Sequence, residues 1–310
     1  MPCLPPLPRA GERSGEGVDA AKPTLFGAVI QYPPKLKRSS TLGRQACHSF
    51  RFGRVKMIDP LFRALIDREI KNRFLGGALS PIWWLAQPLL TLGVYAIVFG
   101  LFMRAPVPPS YGDSFVAFLA VGLWPWIAFA EAVTRSASSL IAQAALITRT
   151  ALPRIYVPLS VVVVSLALNW LALTVIVVGF KVLGMQVYLS GIVFSLPAWI
   201  ALLLIAIGLA WMVSAAQVLV RDIDGMLAPV FMLLSFICGI QYGIDSIPAQ
   251  WRDVILTNPF THLIARMRDT YLAGAGFVWL DAAFLLGGAI IAAAGHGFFK
   301  RVAPHVDDYL

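Results

Sequence analysis

"VLGMQVYLSGIVFSLPAWIALLLIAIGLAWMVSAAQVLV", residues 182–220, runs for 39 residues without a charged side chain. A helix that crosses a bilayer needs about 20 mostly apolar residues, within roughly 17–25. This stretch is therefore too long for one crossing and too apolar for water. Gly184, Gly191 and Pro197 interrupt its first half, which places the crossing near 197–218. Five more uncharged runs, Ile82–Met103, Ser114–Ala130, Ile155–Phe180, Gly225–Ile244 and Ala282–Phe299, each fit a single span. The expected fold is an all-α integral membrane protein with six spans, near 82–103, 114–134, 155–180, 197–218, 225–244 and 279–299.

Composition agrees. The chain is 58% hydrophobic and 13% charged, against roughly 45–50% and about 25% for soluble domains. A soluble chain of 310 residues could not bury that much apolar surface. Residues 1–80 hold 14 Lys or Arg and 6 Asp or Glu, so +8 of the net +9 sits there. Of the 25 basic residues, 20 lie with the N-terminus, the 131–154 segment, the Arg221 turn and the C-terminal tail. The positive-inside rule puts these loops and both termini in the cytoplasm. Topology and lipid headgroups explain the basic balance, and no nucleic-acid partner is expected.

Cys3, Cys47 and Cys238 lack CxxC spacing, and His48, His262, His296 and His305 are scattered. No disulfide framework and no metal site is expected. Residues 1–56, rich in Pro, Gly, Ser and Arg, read as a disordered basic tail. Two readings stay open there: a genuine tail, or a start at Met57.

The ordered part, 57–310, should open with an interface helix at 59–77. Asp59 is its expected cap and Pro60 its first residue. Leu61, Phe62, Leu65, Ile66, Ile70 and Phe74 make an apolar face, with Arg63, Asp67, Arg68, Lys71 and Asn72 opposite. Such a helix lies in the membrane interface. The first span then begins with Trp83 and Trp84 at headgroup depth and carries Pro88. In the second, Glu131 precedes Arg135 by four residues. A membrane carboxylate is a functional candidate by default, yet an ion pair along the helix is the favoured reading. Between the last two spans, 248–256 and Asn258–Ala273 predict two short outer helices. The second carries the stripe Phe260, Leu263, Ile264, Met267 and Tyr271.

"LITRTALPRIYVPLS", residues 146–160, sets Arg149, Pro153, Arg154 and Pro158 between two uncharged runs. A helix near 140–152, stopped by Pro153, fits this pattern. The chain has no GxxxxGK[ST], GxSxG or HExxH motif, and so no visible means of hydrolysing ATP or cutting a bond.

Together these segments resemble the membrane subunit of type-2 ABC exporters. Within that class they resemble the polysaccharide-export permeases, which move O-antigen, capsule or teichoic-acid chains. "DREIKNRF" leading into "WWLAQPLL" is similar to the family's interface helix and first span. "ALITRTALPRIYVPLS" resembles its segment between spans two and three. "VRDIDGMLAPV" resembles its Arg-Asp turn, and "IPAQWRDVILTNPFTHLIARMRDTYLAG" its outer stretch.

The resemblance implies a homodimer working with two copies of a separate ATPase, which alone binds ATP and Mg; no cofactor is expected in this chain. It implies a coupling helix docking into that ATPase, with Arg149, Thr150 and Arg154, and Arg68 and Lys71 of the interface helix, as contacts. A lipid-linked glycan would pass a central path. Trp83, Trp84, Trp124, Trp126, Phe129 and Trp170 are candidate stacking surfaces for sugar rings, with lipid belt or core packing as the competing reading. Leu263, Met267 and Arg268 would form an outer gate, Arg268 as a ligand for phosphate or acidic sugar. Two alternatives remain: export of a small lipophilic drug, and a membrane enzyme using Glu131, His262 or Asp281.

Overall fold

The computed structural model describes residues 50–74, 80–149, 152–243 and 247–306, and all regular structure among them is helical. Helix α1, Phe50–Phe74, does not start at Pro60. The proline lies inside it, and its missing N–H leaves one turn without its bond. The expected boundary at 56 therefore falls within a helix.

Helix α2, Ser80–Tyr95, continues as a π-helical stretch over Ala96–Phe102. Helix α3, Phe115–Ala137, is capped by Ser114, whose Oγ accepts from Ala117 N at 3.3 Å. The expected single coupling helix is two short ones, α4, Ser139–Ala142, and α5, Ala144–Arg149, because the chain leaves helical geometry at Gln143. Next come α6, Tyr156–Val182, α7, Gly191–Phe194, and α8, Leu196–Leu219, which has Pro197 in its first turn and starts one residue before the expected position. Gln217 shapes the Arg-Asp turn after α8. Its amide donates to Arg221 O and its carbonyl oxygen accepts from Asp224 N, both at 2.8 Å.

Helix α9, Ile223–Ile237, is shorter than the span expected at 225–244. Gly239, at φ 65°, reverses the chain, the conformation that ends helices without Cβ strain. Ile240 and Gln241 then turn back into the bundle and are buried. Helices α10, Ala249–Leu256, and α11, Pro259–Leu272, follow; Asn258 caps α11 by accepting from Phe260 N at 3.0 Å. Helix α12, Trp279–Val306, closes the fold.

Among the described residues, four segments are long and apolar enough to cross a membrane: Phe115–Ala137, Tyr156–Val182, Gly191–Leu219 and Trp279–Ala303. Ala86–Phe102 and α9 are apolar but shorter. At 1.5 Å per residue, α9 alone covers about 22 Å of a ~30 Å hydrocarbon layer.

Helix α3 is the axis of the bundle, with 78% of its most apolar window buried against 17% for α12. It packs on α6, α8, α9 and α11, whereas α12 packs on α8. The α8–α12 crossing is close because glycines meet. A Cβ on Gly295 would strike the Gly208 carbonyl, and one on Gly208 would lie 2.5 Å from Ile291 O. Such small-residue contacts let backbones approach where lipid offers no hydrophobic drive.

Candidate polysaccharide path and its charged clasp

Residues repeating every three or four positions on three helices face one cleft of about 540 Å³. From α3 they are Leu123, Trp126, Ile127, Ala130, Glu131, Thr134 and Arg135; from α2, Gln87, Pro88, Thr91 and Tyr95; from α9, Ala228, Phe231, Met232 and Ser235. That spacing is one stripe of an α-helix, so each helix gives one face to the cleft. Asn169 of α6 completes the wall. The lining mixes aromatic faces with amides and hydroxyls, and its only charges are Glu131 and Arg135.

Trp126 anchors an aromatic cluster at the wall. Its ring lies 5.7 Å from Phe129, 6.1 Å from Phe231 and 5.8 Å from Phe260, while Phe129 and Phe260 are 5.1 Å apart. These rings join α3, α9 and α11 into one unit, and such pairs hold offset or edge geometry rather than sliding.

The charges form a clasp between α1 and α3. Arg73 Nη2 donates to Glu131 Oε1 and to Ser165 Oγ, each at 2.6 Å. Asn169 Nδ2 donates to Glu131 Oε2 at 3.0 Å. Arg135 pairs with Glu69 of α1, and its Nε lies 4.0 Å from Glu131. Each helix thus carries Glu then Arg four residues apart, and the helices run in opposite senses so that unlike charges meet twice. The Arg73 side chain is 2% exposed. Burial lowers its pKa from the ordinary value while Glu131 raises it, and arginine is basic enough to stay a cation. Its Nε and Nη1 have no hydrogen-bond partner among the described residues.

The favoured pairing of Glu131 with Arg135 is therefore the minor one. The missed partners, Glu69, Arg73, Ser165 and Asn169, left one readable signal: Glu69 and Arg73 interrupt the apolar face of α1 at the same spacing as Glu131 and Arg135.

The stacking candidates separate by helical phase. Trp126 faces the cleft. Trp83 is exposed on α2, beside Gln87, Thr91 and Tyr95 on the cleft's flank. Trp124 lies about 200° around α3 from Trp126; it is buried, and its indole donates to Asn169 O at 3.1 Å. Trp124 is core, and Phe129 is likewise buried in the ring cluster. Trp170 is half-buried with its indole nitrogen unpartnered. The Trp84 side chain is outside the described residues.

Arg68 and Lys71 are exposed on α1, and Arg68 lines a cavity with the clasp residues Glu69 and Arg135. Arg154 Nη1 donates to Ala303 O at 3.0 Å, tying the start of α6 to the end of α12. Arg149 ends α5, but its side chain, like all of Thr150, is outside the described residues.

Helix α11 is sunk into the bundle rather than lying on it. Leu263, Ile264, Met267 and Tyr271 are buried. Arg268 is buried too. Its guanidinium donates to the carbonyls of Phe118, Gly239 and Ile240 and sits 3.7 Å from the Phe118 ring centre. Gly239 and Ile240 follow the C-terminus of α9, the negative end of its helix dipole. Tyr111 OH donates to Asp269 at 2.8 Å, and Ser195 Oγ to Tyr271 OH at 2.9 Å.

The three candidates for a membrane enzyme do not converge. Asp281 accepts from Arg266 at 2.7 and 2.9 Å. His262 Nε2 lies 2.6 Å from Leu256 O, and Glu131 is held in the clasp.

The profile of the family described as ABC-2 type transporter matches residues 60–272. An O-antigen export system permease protein, RfbA, of Klebsiella pneumoniae is 30% identical over 245 residues, covering 78% of this chain and 92% of its own. RfbA of Myxococcus xanthus is 29% identical over 187 residues, 60% of this chain and 70% of its own. The polysialic acid transport protein KpsM of Escherichia coli is 25% identical over 218 residues, 68% and 81% of the two chains.

Proposed function

The chain belongs to the ABC-2 type transporter family, and from that premise we propose that it is the inner-membrane permease of an exporter of lipid-linked polysaccharide, of the O-antigen or capsule kind. The observation that carries this reading is the cleft. Flat aromatic faces beside amide and hydroxyl groups suit sugar rings, which offer apolar faces and hydroxyl edges, and they grip no single hydroxyl pattern. A polymer in transit requires that.

The working unit is a homodimer with two copies of a separate ATPase chain, which binds ATP and Mg. Two copies of the cleft would line one path. The short apolar segments, Ala86–Phe102 and α9, serve as the first and fifth of six spans, with both termini in the cytoplasm. There α4, α5 and the exposed Arg68 and Lys71 of α1 meet the ATPase. Helix α11 closes the opposite end.

Deleting the gene in its host should abolish the surface polysaccharide and leave lipid-linked glycan inside. A deletion strain with normal surface polysaccharide overturns this reading.

A further inference from the structure

We infer that Arg73 is a positioning residue for the glycan path: carried on α1, it sets whether the Glu131 carboxylate is tied back or presented to the cleft. The inference rests on the export reading above. Its starting point is how α1 is attached. Close backbone packing dominates the rest of the bundle, but α1 is joined to it through side chains: the Leu65 cluster, the Phe62–Tyr156 ring contact and the two ion pairs. A helix held this way can shift at the cost of these contacts, with Leu65 the one α1 residue that leaves a buried cluster among the described residues.

Stability alone does not account for the clasp. Burying charges costs desolvation that their attraction often only offsets, so an apolar contact would anchor α1 as well. The arrangement is also incompletely satisfied. Arg73 keeps three buried N–H groups, one on Nε and two on Nη1, without acceptors among the described residues, which disfavours the present state. Glu131 has a second cation in waiting, Arg135 Nε at 4.0 Å.

Position completes the argument. Glu131 and Arg135 line the cleft, whereas Arg73 does not. Moving α1 away takes Arg73 and Glu69 together, so Glu131 and Arg135 lose their α1 partners at once, while Asn169 still donates to Glu131 Oε2. Along one helix these two then pair with each other, four residues apart in the favourable order. The path gains a carboxylate oxygen able to accept sugar hydroxyls, and it does so in step with one of the helices that the export reading sets against the ATPase.

The test complements a deletion host with R73Q, E131Q, R73K and the charge-swapped pair R73E/E131R. Surface polysaccharide and recovery of the intact permease–ATPase complex are measured for each. R73Q and E131Q should each lower export about tenfold, within the roughly 5–150-fold range of coupling between sites, with the complex recovered in parental amount. R73K should restore part of it, since lysine supplies the charge but not the forked geometry. The swapped pair should export about threefold or more above either single variant, as coupled partners do in a double-mutant cycle. Parental export by R73Q overturns the inference. So does a loss of export that only tracks loss of complex, or an assembled swap no better than the singles. If the parental gene itself fails to restore surface polysaccharide, the export reading falls instead.

Discussion

Gly122 leaves the space that the Arg268 guanidinium fills: a Cβ on this α3 glycine would collide with that side chain. A cation is thereby drawn through the wall of α3 to reach Phe118 O and the carbonyls that follow α9. One side chain locks three helices at one end of the bundle.

Removing this strut should be costly. R268M keeps most of the volume but strands its carbonyl partners, at about 1–3 kcal/mol for each buried group left unsatisfied. G122V should act on the same contact from the other side. Both should lower the unfolding temperature of the detergent-purified protein well below that of K181M, at an exposed position. R268K should fall between, because an ammonium cannot span the carbonyls that a guanidinium fork reaches. Parental thermal stability of R268M would remove the strut assignment.

The α8–α12 crossing offers a comparison within one helix. A Cβ at Gly295 meets the Gly208 backbone, while one at Gly297, two residues on, meets nothing within 4 Å. G295V should therefore cost about 1–3 kcal/mol or more through overpacking against backbone that cannot give way. G297V should be tolerated. Unfolding followed by fluorescence-detected gel filtration separates the two, and equal behaviour would mean that the crossing is not the close one described.

The sequence carried the bundle because uncharged length is a one-dimensional signal. The helix starts near Pro197 and Asn258 were legible in the sequence, and α8 and α11 begin within a residue of them. The early end of α9 was not legible, since the apolar run continues past Gly239 and only the fold shows the chain turning inward. Helical phase was equally hidden. A helix apolar on all sides does not say which side is interior, so Trp124 and Trp126 looked alike although one is core and the other lines the cleft. Glu131 announced itself as a membrane carboxylate, but its nearest partner comes from a helix 58 residues away in sequence. Arg268 could not be read as a strut because backbone carbonyls have no residue type.

Topology can be checked with single cysteines in a background where Cys3, Cys47 and Cys238 are replaced. Ser110, Gln250 and Ala142 are all exposed, so each should react with a maleimide once the reagent reaches its side. In intact cells an impermeant maleimide should label positions 110 and 250, and position 142 only after permeabilisation. Labelling of position 142 from outside would overturn the six-span arrangement with α4 and α5 in the cytoplasm.

The last prediction asks whether α11 closes the path or only fills space. Leu263 and Met267 are 1% and 0% exposed, and burying a side chain of this size contributes about 1.5–3 kcal/mol. Changing both to Ser withdraws a few kcal/mol from the packed position of α11. Arg268, Tyr271 and the Asn258 cap remain to hold the helix together. At about 1.4 kcal/mol per tenfold, that shift moves a closed–open equilibrium by one to two powers of ten. The variant should still assemble with its ATPase. In liposomes without ATP it should pass small solutes that the parent retains. An assembled variant as tight as the parent would mean that the path is closed elsewhere, and that the buried stripe of α11 serves packing alone.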